Sequence, residues 1–467
     1  MINHFNFKMW NSDTVLITND MGRYAFLSKK DFMQLCEDKL DRECASYEKL
    51  HNDGFVMENL DIYDDKYVHK LRDMKSYVFQ GPVLHIFVVT NQCNLGCVYC
   101  QAQHHSSKKK GLMSIETGQK AIDVALESPN RQLSFEFQGG EPLLNFRVIR
   151  EMVKYAEEHK GNKSIDYTVV SNLTLMTEEM ASFFAEHNVS VCTSLDGPKA
   201  LQEKNRICRS GVSSYEATMD GLMKLRSCGF RPGAIQTTTR FSFAYAKEIV
   251  HEYLRQGLEG IFIRPLTPLG FASEDWEKIG YSPEEFLAFY RECFEEILEV
   301  NRQGHMFKEH HAVIFLEKIL EGFSRNYMEL RSPCGAGVGQ LAYYFDGNVY
   351  SCDEARMVAE AGNKMFCLGN VYENSLKDMV SSKTCAVTCT ASILESLPGC
   401  SDCVYQPYCG TCPVINLATS GNIFPVEAES YRCKVYKGIL DYLFELVNEG
   451  NEETMKILYA WIGVDKT

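Results

Sequence analysis

The sequence predicts an α/β protein with a mostly parallel sheet, preceded by a small α+β domain and followed by a cysteine-rich domain. Apolar, strand-like runs alternate with helical stretches between about residues 82 and 270, as a parallel sheet requires. The first of these runs, Val83–Val89, leads directly into a loop with three cysteines. A second concentration of cysteines lies in the C-terminal third. We therefore expect chemistry that depends on cysteine-bound metal.

The composition is that of a globular protein with more than one domain. The chain has 467 residues, of which 45% are hydrophobic and 24% are charged. Its net charge of −14 argues against a general affinity for nucleic acid or for anionic membranes. We find no signal peptide and no apolar run that could span a bilayer, so we expect a cytoplasmic protein. In a reducing compartment, nineteen cysteines indicate metal or redox chemistry rather than disulfides.

Residues 1–80 are predicted to form the small α+β domain. Short strands are expected at Phe5–Trp10, Thr14–Thr18 and Tyr24–Leu27, and helices at Lys29–Cys36 and Cys44–His51. This order resembles the winged-helix element with which many peptide-modifying enzymes hold a leader peptide. Such an element offers a strand edge to which an extended peptide can add itself. The alternative is a plain N-terminal cap that packs on the main domain.

Six strand–helix units are predicted for residues 81–275. The strands are expected at Val83–Thr90, Leu133–Gln138, Ile165–Ser171, Val189–Leu195, Ala234–Thr239 and Ile261–Pro265. The intervening helices are expected at Ser114–Leu126, Phe146–His159, Thr177–His187, Tyr215–Cys228 and Ala244–Arg255. In parallel barrels, functional residues collect at the carboxyl ends of the strands. The motifs described next follow those ends.

The cysteine loop has the spacing C-x3-C-x2-C, formed by Cys93, Cys97 and Cys100. Three thiolates can hold a four-iron cluster while one iron keeps no protein ligand. With Tyr99 before the last cysteine, the loop resembles the signature of the radical S-adenosylmethionine superfamily. The resemblance implies a partial (β/α)6 barrel and a [4Fe-4S] cluster whose open iron binds S-adenosylmethionine, with Tyr99 helping to place it. Reductive cleavage then gives a 5′-deoxyadenosyl radical.

Two other interpretations of the cysteine loop are open. The thiols could belong to a zinc site that His104 or His105 completes. They could also be buried structural thiols.

Motifs after later strands are expected to hold S-adenosylmethionine. Gly139-Gly140-Glu141 follows the second strand and resembles the family's motif for the methionine amino group, since glycines allow a close approach and a carboxylate can accept from an ammonium. Ser171 and Asn172 end the third strand and suit hydrogen bonds to ribose or carboxylate. The run Ser194–Pro198, Asn205-Arg206 and Gly211–Tyr215 resembles the sulfatase-maturase-like branch. That resemblance implies that Ser214 and Arg240 contact the S-adenosylmethionine carboxylate. For Arg240 the alternative is a surface salt bridge.

Asp196, after the fourth strand, is the candidate catalytic residue. The same resemblance implies that it faces the substrate, where it would remove a proton or position the substrate. The alternative is a turn or cap residue before Gly197-Pro198. Arg264, after the sixth strand, either lines the active site or forms a structural ion pair.

The C-terminal cysteines resemble the SPASM extension, which holds two auxiliary iron–sulfur clusters in peptide-modifying radical enzymes. The resemblance implies two ligand sets: Cys400, Cys403, Cys409 and Cys433 for one cluster, and Cys334, Cys352 and Cys412 for the other. The second set has no further cysteine shortly before Cys334, so its cluster either has an open iron or borrows Cys367, Cys385 or Cys389. Zinc is disfavoured because only five residues separate Cys403 from Cys409.

A narrower resemblance concerns the stretches Val15–Gly22, Tyr405–Val414 and Tyr431–Phe444. These look like the maturases of the His-Xaa-Ser system. That group implies a ribosomal precursor peptide with a leader as substrate, an external electron donor of the flavodoxin or ferredoxin type, and often a second maturase of the same system.

We therefore expect a radical S-adenosylmethionine peptide maturase with three [4Fe-4S] clusters, which cross-links or oxidises a peptide side chain. The expected domains are a leader-recognition domain (1–80), the partial barrel (81–275), a helical bridge (276–330), the SPASM domain (331–440) and a C-terminal helix (441–467). Formylglycine formation in a sulfatase is the alternative activity. A non-catalytic iron–sulfur electron-transfer protein is the alternative of another class, against which Gly139–Pro142 weighs, since a carrier needs no bound sulfonium.

Overall fold

The computed structural model describes residues 2–57, 65–103, 110–322, 327–426, 428 and 430–465. His104 and His105, the predicted fourth ligands of a zinc site, lie outside the described residues. None of the described helices is both long enough and apolar enough to cross a membrane.

The chain opens with the predicted three strands, which form an antiparallel sheet in the order β1-β2-β3: β1 (Asn6–Met9), β2 (Thr14–Thr18) and β3 (Tyr24–Ser28). Helices α1 (Lys29–Cys36) and α2 (Ala45–Asn52) follow, and both confirm the prediction. The Ser28 side chain caps α1 by accepting a hydrogen bond from the Asp31 backbone N–H. This region has a hydrophobic core of its own, in which the strands pack on the two helices: Val15, Ile17, Ala25, Leu27, Phe32, Leu35, Leu50, Phe55 and Val56.

The remaining strands are β4 (Leu84–Thr90), β5 (Leu95–Cys97), β6 (Gln132–Gly139), β7 (Ser164–Val170), β8 (Val189–Ser194), β9 (Arg206–Cys208), β10 (Gly233–Thr237), β11 (Gly260–Arg264), β12 (Lys308–Glu309), β13 (Gln340–Tyr344), β14 (Asn348–Tyr350) and β15 (Cys367–Asn370). Six of them, β4, β6, β7, β8, β10 and β11, are parallel neighbours in chain order. This confirms the predicted α/β fold class and its strand–helix alternation.

The remaining helices are α3 (Asp65–Lys75), α4 (Ile115–Leu126), α5 (Phe146–His159), α6 (Glu178–Glu186), α7 (Lys199–Asn205), α8 (Ser214–Ser227), α9 (Ala246–Arg255), α10 (Phe271–Glu274), α11 (Trp276–Ile279), α12 (Pro283–Arg302), α13 (His310–Leu316), α14 (Asp353–Glu360), α15 (Leu376–Val380), α16 (Lys383–Thr390), α17 (Pro413–Ser420), α18 (Tyr431–Glu449) and α19 (Glu452–Trp461). The single helix expected over 441–467 is wrong. The chain turns at Gly450, whose φ of +62° ends α18, and Asn451 then caps α19.

The C-terminal cysteine region extends the barrel sheet, which the sequence did not predict. β13 pairs in parallel with β4 from Gln340↔Leu84 to Tyr344↔Val88. β14 and β15 continue the sheet in antiparallel fashion. The strand that leads into the first cysteine loop therefore lies between β6 and β13, and both cysteine regions are attached to one continuous sheet.

Aromatic packing holds this junction together. Phe87 on β4 contacts Phe135 and Phe137 on β6 and Tyr343 on β13, with ring centroids 5.1, 5.6 and 5.1 Å away. All four side chains are fully buried. Because each such side chain stabilises the fold by roughly 1.5–3 kcal/mol, the join between the barrel and the C-terminal region is a major part of the core.

Candidate functional site

The first cysteine loop is held as a short antiparallel ribbon at the carboxyl end of β4. β5 pairs with β9, which places Cys97 opposite Arg206. Burial raises the pKa of the Cys93 thiol above its usual value, and the charges of Cys97 and Cys100 raise it further. The structure thus brings the three predicted thiols into one group.

Backbone N–H groups point at these thiols. The Leu95 N–H donates to Cys93 Sγ at 3.4 Å. Backbone hydrogen bonds from Ala102 and Gln103 lower the pKa of the Cys100 thiol, although burial raises it overall. Since cysteine binds iron as a thiolate, N–H groups directed at sulfur suit a loop that holds a metal cluster. The donor set therefore fits the [4Fe-4S] cluster that the loop predicts.

No group of three His, Cys, Asp or Glu side chains among the described residues is arranged to hold a single metal ion. A polynuclear cluster sets a different requirement, because its ligands bind separate irons.

Gly139, Gly140 and Glu141 pack on the backbone of the cysteine loop. The Gly140 N–H donates to the Thr90 carbonyl at 2.9 Å, and the Glu141 N–H donates to the Gln92 carbonyl at 2.8 Å. A Cβ atom would lie 2.0 Å from the Thr90 oxygen at Gly139 and 2.2 Å from the Gln92 oxygen at Gly140. We expected the glycines to admit a ligand. Instead they admit the carbonyl groups of the loop itself.

The Glu141 carboxylate is buried between strands. Ser171 Oγ donates to Oε1 at 2.7 Å, the Leu143 N–H donates to Oε1 at 3.0 Å, and the Asn172 N–H donates to Oε2 at 2.9 Å. Burial raises the pKa of Glu141 to about 7. The Asn172 side-chain amide reaches the cysteine loop, where it donates to Asn94 Oδ1 at 3.1 Å. Three predicted site residues, Glu141, Ser171 and Asn172, thus meet beside the loop.

Asp196 lies fully buried beneath the same loop. Tyr99 donates to both of its oxygens, at 3.0 and 2.7 Å, Arg206 donates to Oδ1 at 3.0 Å, and Asn205 donates to Oδ2 at 3.2 Å. The expected position facing a substrate is not the one observed, because these donors surround the carboxylate. The contacts favour a role in positioning Tyr99 and β9. Proton removal by Asp196 stays a prediction.

Arg206 is a site residue to which the sequence assigned no role. Its guanidinium lies 5.2 Å from the centre of the Tyr99 ring, and its charge lowers the pKa of both Cys97 and Cys100 against the larger effect of burial. One signal in the sequence could have identified it: Arg206 follows Asp196 after a single seven-residue helix, α7. A buried carboxylate requires a positively charged or hydrogen-bonding partner, and a short helix can bring the arginine that follows it back to the carboxylate.

Ser214 lies at the first position of α8, close to Asn172. Thr218 Oγ1 links the two by donating to the carbonyls of Asn172, at 3.1 Å, and of Ser214, at 2.8 Å. Ser214 is 2% exposed, and its hydroxyl has no hydrogen-bond partner among the described residues. Buried hydroxyl groups are normally paired, so this orphan fits a contact with a bound ligand.

Arg240 does not join this group. Its Nε donates to the Gly280 carbonyl at 2.9 Å, and its NH1 lies 3.6 Å from Glu285 Oε1. The side chain is 48% exposed. In this structure Arg240 forms the surface ion pair that was the alternative to a ligand contact.

The two expected groups of C-terminal cysteines stay a prediction, and the electrostatic contacts within each group agree with it. The charges of Cys334 and Cys412 raise the pKa of Cys352 beyond the effect of burial. Burial lowers the pKa of Lys437, but the charges of the other four thiols raise it overall: Cys400, Cys403, Cys409 and Cys433.

A cavity of about 770 Å³ is lined by residues of both the barrel and the C-terminal cysteine region. Gln101, which follows the first cysteine loop, and residues 264–268 line it from the barrel, and Glu354 and residues 430–432 line it from the C-terminal region. Aromatic side chains form much of the wall: Phe262, Trp276, Tyr281, Tyr327, Tyr431 and Tyr436.

Two arginines share one carboxylate in this cavity wall. Arg264 NH2 donates to Glu329 Oε1 at 3.1 Å, and Arg432 NH2 lies 3.4 Å from Glu329 Oε2. The two cations hold the pKa of Glu329 below its usual value although the group is buried. Both roles suggested for Arg264, lining the site and forming an ion pair, are thus observed.

Residues 87–263 match the family model of the radical SAM superfamily. An uncharacterized protein of Methanocaldococcus jannaschii is 33% identical over 183 residues, which are 39% of this chain and 62% of that protein, so the chain spans less than two thirds of that relative. A serine-type anaerobic sulfatase-maturating enzyme of Bacteroides thetaiotaomicron is 26% identical over 374 residues, which are 74% of this chain and 85% of that enzyme.

Two solved structures share the fold. The structure of native anSMEcpe with bound AdoMet and Kp18Cys peptide superposes with a TM-score of 0.68 at 22% identity, and covers 78% of this chain and 98% of that one. Streptococcus suis SuiB bound to the precursor peptide SuiA superposes with a TM-score of 0.54 at 13% identity, and covers 91% of this chain and 98% of that one. At these sequence identities the superpositions show a shared fold and nothing further.

Proposed function

The chain is an enzyme of the radical SAM superfamily, and on that premise we propose that it modifies a side chain of a ribosomally made precursor peptide by cross-linking or oxidation. The observation that carries this proposal is the cavity between the two cysteine regions. A substrate there would contact the first cysteine loop through Gln101 and the C-terminal region through Glu354. Its aromatic and charged wall suits a peptide, which carries both apolar side chains and polar backbone groups.

Cys93, Cys97 and Cys100 would hold a [4Fe-4S] cluster, and its chemistry when bound is one-electron reduction of S-adenosylmethionine, which starts hydrogen abstraction from the substrate. Glu141, Ser171, Asn172 and Ser214 would orient S-adenosylmethionine beside the loop. Asp196 and Arg206 would fix the loop in place through Tyr99.

The C-terminal thiol groups would hold two auxiliary clusters. Oxidation or cross-linking removes two hydrogens from the peptide, so an electron must leave the substrate after the first hydrogen is taken. Glu354, two residues after Cys352, and Ile415, three residues after Cys412, line the cavity, which supports a role as electron acceptor for a cluster held by Cys334, Cys352 and Cys412. An electron donor of the flavodoxin or ferredoxin type and a second maturase are the protein partners that we propose.

The N-terminal sheet would bind the leader peptide. It is fixed to the C-terminal cysteine region, because Asn6 donates to the carbonyls of Ser401 and Cys403, at 3.3 and 3.1 Å, and the Tyr408 hydroxyl donates to the Gly22 carbonyl at 3.0 Å. A leader held on this sheet would therefore start close to the catalytic region. Effective concentration would then favour entry of the attached core peptide into the cavity.

Formylglycine formation is the second candidate function. Its support is the similarity to the Bacteroides sulfatase-maturating enzyme along 74% of the chain. The separate three-stranded N-terminal sheet, to whose edge we propose that a leader adds, favours the first candidate, since a sulfatase substrate needs no leader.

Anaerobic assays with two kinds of peptide separate the candidates. The reconstituted protein is given S-adenosylmethionine and dithionite, together with either a leader-bearing precursor peptide or a serine- or cysteine-containing sulfatase peptide. We expect 5′-deoxyadenosine in both mixtures and the loss of two hydrogens, by mass spectrometry, only from a precursor peptide. The variant Cys93→Ala/Cys97→Ala/Cys100→Ala is the control and should give no 5′-deoxyadenosine. Conversion of the sulfatase peptide alone would replace the first candidate by the second.

A further inference from the structure

The antiparallel ribbon of β5 and β9 has an inner face toward the barrel and an outer face toward solvent. Cys97 lies opposite Arg206, whose side chain is directed inward to Asp196, so this pair lies on the inner face. Gly96 lies opposite Ile207, one position along each strand, and this pair therefore lies on the outer face. Ile207 is 52% exposed. An apolar side chain is thus open to solvent directly beside the first cysteine loop.

Gly96 leaves the backbone of the cysteine loop uncovered at this outer face. Its φ is not positive, and the Ile207 carbonyl oxygen, at 3.9 Å, is the one described atom beyond its chain neighbours within 4 Å of a Cβ atom there. The fold therefore has room for a side chain at this position, unlike at Gly139 and Gly140. What the missing side chain permits is the close approach of another molecule to the backbone next to Cys97.

Arg209, just after β9, holds both ends of the cysteine loop. Its backbone N–H donates to the Asn94 carbonyl at 3.1 Å, its Nε to the Leu95 carbonyl at 3.1 Å, and its NH2 to Gln103 Oε1 at 3.0 Å. The residue is nevertheless exposed. All three acceptors are neutral, and no carboxylate in the described part of the chain forms an ion pair with this guanidinium.

The surface around the loop is positive on a chain that is negative overall. Residues 91–103 hold no charged side chain, and residues 206–212 hold two arginines and no acidic residue. Because Arg206 is directed inward, Arg209 supplies the surface charge. The whole chain carries a net charge of −14. An acidic protein is therefore repelled by the chain as a whole and attracted to this face.

We propose that the outer face formed by Gly96, Ile207 and Arg209 is the docking surface of an acidic, flavodoxin-type protein that supplies the electron for S-adenosylmethionine cleavage. The inference rests on the proposed function, which includes an external donor of this type. The exposed edge of the flavin in such a carrier is apolar and fits Ile207, and the acidic surface around it fits Arg209. Weak electron-transfer complexes bury less than about 1,200 Å², so a small patch is sufficient.

Contact at Gly96 brings the flavin to the backbone between Leu95 and Cys97. One electron leaves the reduced flavin and enters the cluster that Cys93, Cys97 and Cys100 would hold. The carrier is oxidised by one electron and the cluster is reduced by one electron, and no bond between the two proteins forms or breaks.

The test uses the full chain after anaerobic reconstitution of its clusters. Binding of oxidised flavodoxin is measured by titration calorimetry at low and at high salt. Formation of 5′-deoxyadenosine is measured with reduced flavodoxin below saturation, with a reduced ferredoxin, and with dithionite, a small ion that needs no docking surface. Iron content is measured for each variant.

Ile207→Glu should weaken flavodoxin binding at least about tenfold, because it replaces an apolar contact with a charge that repels an acidic carrier. The flavodoxin-driven rate should fall with it, while the dithionite-driven rate stays at the parent value. Arg209→Gln should weaken binding mainly at low salt, and Arg209→Lys, which keeps the charge, should retain binding. Met223→Glu is the matched control, since Met223 is 62% exposed on α8, and it should leave binding and both rates unchanged.

Parent-like flavodoxin binding by both Ile207→Glu and Arg209→Gln would overturn the inference, and so would an equal loss of binding in Met223→Glu. If Ile207→Glu lost iron, the two Arg209 variants would decide, because equal binding by Arg209→Gln and Arg209→Lys contradicts a charge-guided contact. Impairment of the ferredoxin-driven rate alone would show that the occupant is wrong. Failure of the proposed function is observed separately, as absence of peptide modification by the parent chain with dithionite.

Discussion

The Tyr99 hydroxyl donates to the Asp196 carboxylate at 2.7 Å, which joins two residues 97 positions apart in the chain. Tyr99 immediately precedes the last cysteine of the first loop, and Asp196 follows β8, on the far side of β6 and β7. Arg206 completes the contact from the strand that pairs with the loop. The shape of the cysteine loop therefore depends on a buried ion pair in another part of the barrel.

Removal of one partner from this ion pair should destabilise the protein strongly. Asp196→Ala leaves the Arg206 guanidinium buried without its counter-charge, which costs about 3–5 kcal/mol of unfolding free energy. We expect iron at the first loop to fall as well, because Tyr99 loses its acceptor. Denaturant unfolding and iron analysis measure the two effects.

A surface ion pair gives the matched control. Asp220 pairs with Lys224 at 2.5 Å and is 55% exposed, so Asp220→Ala should cost less than about 1 kcal/mol. If Asp196→Ala were as mild as Asp220→Ala, the ion pair would not organise the loop.

Gly140→Ala should displace the cysteine loop without changing any charged group. The new Cβ atom would lie 2.2 Å from the Gln92 carbonyl oxygen, one residue before Cys93, and backbone cannot move aside as a flexible side chain can. Overpacking of this kind costs roughly 1–3 kcal/mol. We expect lower iron loading at the first loop, measured in parallel with the melting temperature.

Gly233→Ala serves as the control, since nothing lies within 4 Å of a Cβ atom at that position. It should leave iron content and stability near the parent values. Full iron loading in Gly140→Ala would show that the loop adapts to the added methyl group.

Two histidines buried in the neutral form should each lower the stability as the pH drops below about 6.5, whereas buried carboxyls such as Glu141, whose pKa is raised to about 7, contribute with the opposite sign. Burial lowers the pKa of both His85 and His311 to about 3. Below the unfolded-state pKa of about 6.5, each histidine binds a proton in the unfolded chain but not in the folded chain. Each histidine therefore lowers the unfolding free energy by about 2 kcal/mol between pH 7 and pH 5.

His85→Phe should therefore change the difference in stability between pH 7 and pH 5 by about 2 kcal/mol in favour of pH 5. It removes one of the two contributions and leaves that of His311, although the Tyr343 hydroxyl loses its partner at 2.9 Å and the overall stability falls. Urea unfolding at pH 7 and pH 5 gives the difference. Phe135→Leu, a core substitution beside His85, should lower stability equally at both pH values. The same change in the pH difference in Phe135→Leu would argue against His85 as its source.

The strands were predictable because their patterns are local. Val83–Thr90 shows an apolar run of strand length, and the observed β4 differs from it by one residue. The predicted helix Lys29–Cys36 is observed with the same bounds, since Ser28 gives a clear capping signal. The cysteine spacing likewise grouped thiols that the structure brings together.

Relationships between distant segments were not predictable in the same way. No local pattern indicates that β13 pairs with β4, or that Arg206 returns to Asp196. The glycines at Gly139 and Gly140 were correctly singled out, but sequence could not tell whether a ligand or the chain's own backbone approaches them. Sequence likewise could not show that the Arg240 side chain is directed toward Glu285 at the surface.

Ser214 and Arg240 allow a direct test of S-adenosylmethionine placement. The Ser214 hydroxyl is buried without a partner among the described residues, so Ser214→Ala removes no protein hydrogen bond and should leave the melting temperature near that of the parent. If this hydroxyl donates to the S-adenosylmethionine carboxylate, its loss costs about 1.5–3 kcal/mol, or at least a tenfold weaker binding. Titration calorimetry on the reconstituted protein measures the affinity.

Ser213→Ala should have the opposite effects on stability and on S-adenosylmethionine binding. Ser213 caps α8 by accepting from the Glu216 N–H at 3.1 Å, so its loss should lower stability by about 1 kcal/mol and leave the affinity unchanged. Arg240→Ala should also leave the affinity unchanged, because its guanidinium is directed toward Glu285 at the surface. A tenfold loss in Arg240→Ala together with none in Ser214→Ala would reverse the assignment and require Arg240 to turn inward when S-adenosylmethionine binds.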